Sequence, residues 1–176
     1  MNRRTFLKLS LQAAVGITVL QTVPAWASSG ERSLSFYHTH TGEHLDVTFA
    51  RWGKYDPRAL ESVNAYLRDF RTGEEHRIDP GVLDILWKIQ QEMGCRGTYE
   101  VISGYRSPAT NQALRRKSKG VAKHSMHTLG KAIDIRLSGQ HTCQIRDCAI
   151  ALKGGGVGYY AKSDFVHIDT GRVRTW

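Results

Sequence analysis

The sequence predicts an α+β fold with a small, mainly antiparallel sheet flanked by helices, and with an N-terminal β-hairpin. Two early segments begin at Asp-Pro pairs and carry apolar residues at steps of three and four, as amphipathic helices do. Two later segments instead alternate apolar and polar residues, which is typical of strands with one covered face. Early helices followed by late strands favour the α+β class.

Residues 1–27 are predicted to be a twin-arginine-type signal peptide, and residues 28–176 a single folded domain. An Arg-Arg pair precedes Thr-Phe-Leu-Lys, and a short, mildly apolar run then leads to the small-residue pattern Ala-Trp-Ala. That run is too short to span a bilayer, although a retained anchor is the alternative. We expect cleavage after Ala27, export to the periplasm through the twin-arginine pathway, and no stable membrane anchoring afterwards.

The chain is basic, with a formal net charge of +9. Basic domains often bind nucleic acid, but an exported protein is removed from most nucleic acid. We therefore expect no nucleic-acid partner and favour an anionic cell-wall polymer. The alternative is that the charge serves only solubility.

The three cysteines, Cys95, Cys143 and Cys148, can form at most one internal disulfide. A bond from Cys95 to one of the other two is open. Their spacing is not that of a structural zinc site, so we interpret them as packing residues.

The N-terminal hairpin is predicted from two short β-prone runs, 34–37 and 45–49, joined by the segment His-Thr-His-Thr-Gly-Glu-His. Its histidines, His38, His40 and His44, could form a metal cluster. No acid or cysteine completes that set, so we favour ordinary surface histidines.

Two helices follow the hairpin in the predicted order. The first begins after Asp56 and runs to about Phe70, and the second begins after Asp79 and stops at Gly94. In both cases an acid that can cap the helix precedes a proline at the first helical position. Both helices are predicted to be scaffold, with Trp87 as a core anchor.

A predicted strand at 99–102 ends in the tight connection Ser-Gly-Tyr-Arg-Ser-Pro, which contains Arg106. Glycine and proline on either side force the arginine out of regular structure and present it at a strand end, where functional residues often lie. A short helix is predicted from Ser107 to Leu114, and the basic run 115–120 is predicted to be an exposed loop.

Two late strands carry polar side chains on their uncovered face. Alternation over 132–137 turns Asp134 away from the apolar layer, and alternation over 165–169 does the same for His167. The stretch between them is predicted to hold a helix and a further strand, at 142–152 and 157–160. Neighbouring strands can therefore direct Asp134 and His167 into one cavity, with His127 supplied by the preceding loop.

Together, His127, Asp134 and His167 form a candidate zinc site. Two histidines and one carboxylate are the ligands of a catalytic zinc ion that keeps a fourth position open for water, whereas a closed structural site needs a fourth protein ligand. An iron oxygenase also uses this ligand set, but it normally needs a longer β-rich barrel. We therefore predict Zn²⁺ as the cofactor.

These residues also carry a resemblance to a known family. The motif Ser-x-His-x-x-Gly-x-Ala-x-Asp at 125–134, followed by His167, resembles the zinc-ligand pattern of the D-Ala-D-Ala carboxypeptidase-like metallopeptidases. The wider set is similar to the YcbK/MepK-type murein endopeptidases: Ile-Ser-Gly-Tyr-Arg-Ser at 102–107, Gly-Gly-Val-Gly-Tyr-Tyr at 155–160, Phe-Val-His-Ile-Asp-Thr-Gly at 165–171, and Trp176.

The resemblance implies a zinc peptidase that acts on peptidoglycan stem peptides and cross-links, especially those joining two meso-diaminopimelate residues. The alternatives are a D,D- or L,D-carboxypeptidase that trims stem peptides and a noncatalytic wall-binding module. A monomer is expected. By its family position Arg106 would hold a substrate carboxylate or the developing oxyanion; the alternative is a structural bridge to an acid such as Glu100.

The general base is less well defined by the resemblance. Related zinc peptidases place an acid three residues before the second histidine ligand, and here that residue is Asp164. Other members place a histidine two residues before the ligand, where this chain has Phe165. Asp169 is a second candidate, or an acceptor that orients His167. His124 is a third candidate.

Overall fold

The protein, seen here in a computed structural model that describes residues 30–118 and 120–176, has one eight-stranded sheet with helices against it. The predicted signal peptide lies outside these residues. The strands are β1 Glu31–His38, β2 His44–Arg51, β3 Lys54–Tyr55, β4 Thr98–Ser103, β5 Ala132–Leu137, β6 Gly156–Tyr160, β7 Phe165–Asp169 and β8 Arg174–Thr175. The α-helices of the described residues are α1 Pro57–Tyr66, α2 Pro80–Glu92, α3 Pro108–Lys117 and α4 Thr142–Leu152.

The strand order is β3-β2-β1-β4-β5-β7-β6-β8. Strand β1 is antiparallel to β2 but parallel to β4, and β6 is parallel to β8; the other neighbours are antiparallel. The α+β class and a mostly antiparallel sheet flanked by helices are thus confirmed. The prediction of a small sheet is wrong, because the parallel β1–β4 pairing joins the N-terminal strands to the later ones.

The predicted helix starts are confirmed at both Asp-Pro pairs. The side chain of Asp56 accepts hydrogen bonds from the backbone N–H groups of Arg58 and Ala59, and Asp79 accepts one from Gly81. Each acid satisfies N–H groups that have no partner within the helix.

Helix α1 ends at Tyr66 rather than near the predicted Phe70. The carbonyl of Leu67 accepts a hydrogen bond from the backbone N–H of Tyr105 at 2.8 Å, in the connection that follows β4. Tertiary pairing thus replaces the next helical turn, and the chain after Leu67 folds around the buried Asp69 instead.

Helix α3 runs to Lys117, so the prediction that the basic run begins as a loop is wrong. Arg115, Arg116 and Lys117 form the last turn of the helix. Cations in this position interact favourably with the negative end of the helix dipole, which explains why the helix continues into them.

The apolar core lies between one face of the sheet and the helices. Ile133, Ile135 and Leu137 of β5 are fully buried, as are Leu86 and Ile89 of α2, while Trp87 is partly buried against this core. The predicted alternation along β5 is confirmed, and it leaves the other face of the strand free to carry polar groups.

The three cysteines are free and partly buried, and Cys95 and Cys148 pack against the core. Each of the helices in the described part of the chain is too short or too polar to cross a bilayer.

Candidate metal centre

The three predicted ligands converge on one buried point. Asp134 and His167 are directly opposite each other on the adjacent antiparallel strands β5 and β7, so their side chains leave the sheet on the same face. His127 reaches them from a short 3₁₀ turn, Met126–Leu129. All three side chains are buried.

The turn that carries His127 is fixed at both ends. The side chain of Ser125 accepts a hydrogen bond from the N–H of His127 at 3.3 Å. Gly130 ends the turn with φ of 64°, and a Cβ atom there would lie 2.1 Å from the carbonyl oxygen of Arg77. Glycine is therefore required at this position, because a side chain would push the turn away from the start of α2.

Hydrogen bonds orient both imidazole rings. Nδ1–H of His127 donates to the carbonyl oxygen of Gly104 at 2.7 Å, and Nε2–H of His167 donates to Asp169 Oδ2 at 3.0 Å. These bonds leave Nε2 of His127 and Nδ1 of His167 directed at Asp134, where each nitrogen can bind a metal once it carries no proton. Fixing the tautomer from behind in this way is typical of histidines that bind metals.

The spacing of the three donor atoms fits a zinc ion. Nε2 of His127 lies 3.1 Å from Asp134 Oδ1 and 3.1 Å from Nδ1 of His167, which lies 2.8 Å from the same carboxylate oxygen. Tetrahedral zinc with bonds of about 2.0–2.1 Å separates its ligand atoms by about 3.3 Å. Small outward shifts would therefore accommodate the ion, with a fourth position left for water.

Among the described residues these three form the one group of histidine, cysteine and acid that could hold a metal. The histidines of the β1–β2 connection do not form another. The predicted surface position is wrong for His38, which is fully buried and whose Nδ1 accepts a hydrogen bond from the N–H of His40 at 3.2 Å. It is confirmed for His40 and His44, which are exposed, and His44 packs against Tyr37.

The electrostatics of the centre keep Asp134 ionised. Burial opposes its charge, but the nearby His127, hydrogen bonds from both histidines and Arg106 together hold the pKa of Asp134 well below its usual value. Burial lowers the pKa of His127. Burial also disfavours the charged form of His167, yet its bonds to Asp134 and Asp169 raise the pKa of His167. Binding of a cation would thus release a proton.

Arg106 lies beside this centre and not at Glu100. Its guanidinium donates to Asp134 Oδ2 and, at 2.8 Å, to Ser103 Oγ. Glu100 instead pairs with Arg136 at 3.4 Å. The alternative of a bridge to an acid is thus wrong for Glu100, but Arg106 does form an ion pair with an acid, the predicted ligand Asp134.

Asp169 lies directly behind the centre. It is wholly buried and accepts hydrogen bonds from His167, from Arg174 and from the backbone N–H groups of Gly156 and Gly171. Burial opposes its charge, but these donors lower the pKa of Asp169 strongly. Its oxygens are fully engaged, which suits an orienting acceptor and not a base that receives a proton from water.

The other two base candidates lie in different places. The carboxylate of Asp164 accepts a hydrogen bond from Thr142 Oγ1 at 2.7 Å and lies 3.7 Å from Nε of Arg136. Among the described residues, the cavity over the centre is lined by Ser163 and Phe165 but not by Asp164. His124, which is exposed, does line this cavity.

The cavity has a volume of about 500 Å³ and contains His127, Asp134 and His167 in its wall. On the β6–β8 side it is bounded by aromatic rings: Tyr160 and Phe165 stack at 4.5 Å, and the indole N–H of Trp176 donates to the hydroxyl of Tyr160 at 3.0 Å. On the other side it reaches His40 and Arg71.

Sequence reasoning missed Asp69 and Arg71, which lie just past the end of α1. The segment Asp-Phe-Arg-Thr-Gly has the composition of a turn, and this signal could have ended the predicted helix earlier. In the structure Asp69 Oδ1 and Oδ2 accept hydrogen bonds from the backbone N–H groups of Arg71 and Ser107, at 3.0 and 2.9 Å. Asp69 therefore holds together two loops that border the cavity.

The chain matches a known protein family over nearly its whole length. The family model described as peptidoglycan L,D-endopeptidase MepK matches residues 26–176. A probable peptidoglycan L,D-endopeptidase MepK of Haemophilus influenzae is 42% identical over 178 residues, which cover 99% of this chain and 95% of the relative. The peptidoglycan L,D-endopeptidases MepK of Escherichia coli K12 and Shigella flexneri are also 42% identical, with 99% of this chain and 97% of each relative covered.

Proposed function

This chain belongs to the family of the peptidoglycan L,D-endopeptidase MepK, and on that premise we propose that it is a zinc-dependent hydrolase of peptidoglycan cross-links. The observation that carries the proposal is the mutual spacing of 2.8–3.1 Å among the donor atoms of His127, Asp134 and His167. Two neutral imidazoles and one carboxylate leave a bound zinc ion with net positive charge, which suits electrophilic catalysis.

Zinc, when bound by these three residues, supplies a Lewis acid and an activated water. The protein residues supply the positioning. Gly104 and Asp169 hold the two imidazole rings, so the site needs little rearrangement when substrate binds. Arg106 places a guanidinium beside Asp134 at the cavity wall. There it can stabilise the negative charge that develops on the scissile carbonyl oxygen.

The proton from the attacking water needs an acceptor, and we propose His124 for that role in place of Asp164. His124 lines the cavity, and neutral imidazole is the most common general base in enzymes. Asp169 would orient His167. These assignments rest on which side chains face the cavity in the described residues.

The bond we propose as substrate joins two meso-diaminopimelate residues. Such a link runs from the carbonyl of an L-centre to the amine at a D-centre, which is the kind of bond that the relatives' name, L,D-endopeptidase, specifies. We also propose that the protein works in the periplasm after export by the twin-arginine pathway, and that it acts as a monomer.

The test is hydrolysis of purified muropeptide dimers by zinc-loaded and zinc-stripped protein, followed by mass spectrometry of the products. Zinc-loaded protein should convert dimers with the diaminopimelate–diaminopimelate link into monomers, and zinc-stripped protein should not. Removal of only a terminal residue would indicate a carboxypeptidase. Binding without turnover would indicate a wall-binding module, and metal analysis that finds iron instead of zinc in the purified protein would favour an iron oxygenase.

A further inference from the structure

One of the arginines that line the cavity makes no hydrogen bond or ion pair with an acid of the described residues. Three arginines line it: Arg71, Arg106 and Arg174. Arg106 contacts Asp134, and Arg174 contacts Asp169 through both carboxylate oxygens. The guanidinium of Arg71 has no hydrogen-bond or ion-pair partner within the described residues, although it faces the same cavity.

Arg71 is held in a defined position even without an acidic partner. Its guanidinium lies 4.0 Å from the ring centre of Phe70, and the same ring stacks with His40 at 4.4 Å. The backbone N–H of Arg71 donates to the buried Asp69 at 3.0 Å. A cation–π contact and a fixed backbone reduce the entropy that the side chain would lose on binding a ligand.

Asp69 is close but does not neutralise Arg71 through a hydrogen bond. Its carboxylate is directed at backbone N–H groups, those of Arg71 and Ser107. Burial and the charge of Arg106 lower the pKa of Arg71, although Asp69 acts in the opposite direction. Two guanidinium groups near each other in one cavity favour the entry of an anion.

The position of Arg71 places such an anion to one side of the scissile bond. In the sheet order the ligand strands β5 and β7 lie between β1, which leads to His40, and β6, which carries Tyr160. Arg71 and His40 thus lie on the β1 side of the centre, and the aromatic rings lie on the β6–β8 side. A substrate that crosses the centre meets the unpaired cation of Arg71 on one side, and on the other side aromatic rings and an arginine, Arg174, that is already paired with Asp169.

We propose that Arg71 is a specificity-determining residue that binds a free carboxylate of the substrate, namely the D-centre carboxylate of a diaminopimelate residue. This inference rests on the proposed function, since it names a group of the cross-link that the centre would cleave. The planar guanidinium matches a carboxylate with two parallel hydrogen bonds. Arg71 touches the substrate away from the reacting atoms and therefore contributes to binding more than to turnover.

The test uses two diaminopimelate-linked muropeptide dimers that differ only in their D-centre carboxylates, which are free in one and primary amides in the other. Wild type, Arg71→Gln, Arg71→Lys and the control Arg58→Gln are compared. Arg58 is exposed on α1 and does not line the cavity. Binding of each dimer to zinc-stripped protein is measured by calorimetry, and KM and kcat are measured with zinc-loaded protein.

Arg71→Gln should weaken binding of the free-carboxylate dimer roughly ten- to hundredfold, as expected for a lost charge-assisted pair, and raise its KM with kcat nearly unchanged. Binding of the amidated dimer should stay within about twofold of wild type. The affinity of Arg71→Lys for the free-carboxylate dimer should lie between those of wild type and Arg71→Gln, because lysine keeps the charge but cannot donate two parallel hydrogen bonds. Arg58→Gln should behave as wild type with both dimers.

Equal losses with both dimers, or no loss with either, would overturn the proposal. Thermal unfolding of Arg71→Gln should match wild type, since the side chain makes no buried hydrogen bond. If wild type binds the dimers but never cleaves them, the proposed function is wrong. Calorimetry would still show whether Arg71 favours the dimer with free carboxylates. The two ideas are therefore tested separately.

Discussion

Asp134 and His167 are direct cross-strand neighbours, and Asp134 Oδ1 lies 2.8 Å from Nδ1 of His167. Their closeness follows from pairing of β5 with β7 and does not depend on any loop. Two of the three proposed metal ligands are thus set by the register of the sheet, and a change in either side chain should leave the backbone of the centre in place.

Asp134→Ala should abolish both zinc binding and hydrolysis, because it removes the single anionic ligand. Zinc content is measured by elemental analysis of dialysed protein, and activity is measured with muropeptide dimers. Asp46→Ala is the matched control, since Asp46 is an exposed acid on another strand, β2. An Asp134→Ala protein that keeps one zinc per chain would disprove the ligand assignment.

Asp169→Asn should weaken zinc binding without abolishing it. Asparagine of the same shape cannot accept the Nε2–H of His167 as strongly as the buried carboxylate does. Loss of an acceptor that orients a metal-binding histidine typically lowers metal affinity 10–100-fold. Competition with a chelator measures the affinity, and Asp147→Asn on the surface of α4 is the control. An unchanged affinity would mean that Asp169 serves only the fold.

Arg106→Ala should retain zinc but lower kcat/KM by roughly 10²–10³-fold, the size of effect that loss of one donor to a developing oxyanion produces. Arg136→Ala is the control, because Arg136 pairs with Glu100 and does not line the cavity. Steady-state kinetics with metal analysis checks the prediction. Normal kinetics in Arg106→Ala, or loss of zinc, would contradict the proposed role.

His124→Ala should reduce turnover by about 10²-fold or more, whereas Asp164→Asn should keep it within about twofold of wild type. The reason is placement: His124 lines the cavity and Asp164 is bonded to Thr142. Kinetics of the two variants with zinc-loaded protein decides between them. A large loss in Asp164→Asn with zinc retained would restore Asp164 as the base.

The strand pattern of the sequence was enough to predict the position of Asp134 and His167, because alternation with a period of two fixes which face a side chain occupies. The same rule could not place Asp164. It precedes β7 and has φ of 51°, so it is outside the extended strand and its side chain does not follow the alternation.

The parallel pairing of β1 with β4 was beyond prediction from local patterns. The two strands are separated in the chain by β2, β3 and two helices, and nothing in either strand specifies a distant partner. The turn around Asp69 was missed for a related reason. Its acceptors are satisfied by N–H groups as far away as Ser107, and this tertiary contact competes with continuation of α1.

Asp69→Asn should destabilise the protein and lower its activity together. The carboxylate is wholly buried and joins the backbone of Arg71 to that of Ser107, next to Arg106. Replacement should reduce the free energy of unfolding by about 2–3 kcal/mol at pH 7, the range for buried hydrogen bonds to a charged group. Urea denaturation measures this change, with Asp46→Asn as the exposed control.

The stability difference between wild type and Asp69→Asn should depend on pH, because the Asp69 carboxylate titrates differently in the folded and unfolded chains. Burial disfavours its charge, but hydrogen bonds from Thr110, Ser107 and Arg71 lower the pKa of Asp69 below the ordinary 3.8. The unfolded chain therefore binds the proton more readily, and this stabilisation is complete above pH 3.8 and lost as pH falls through the folded-state pKa. The difference in the free energy of unfolding between wild type and Asp69→Asn should therefore become smaller in that acidic range. A difference that does not change with pH would show that the charge of Asp69 contributes nothing to stability.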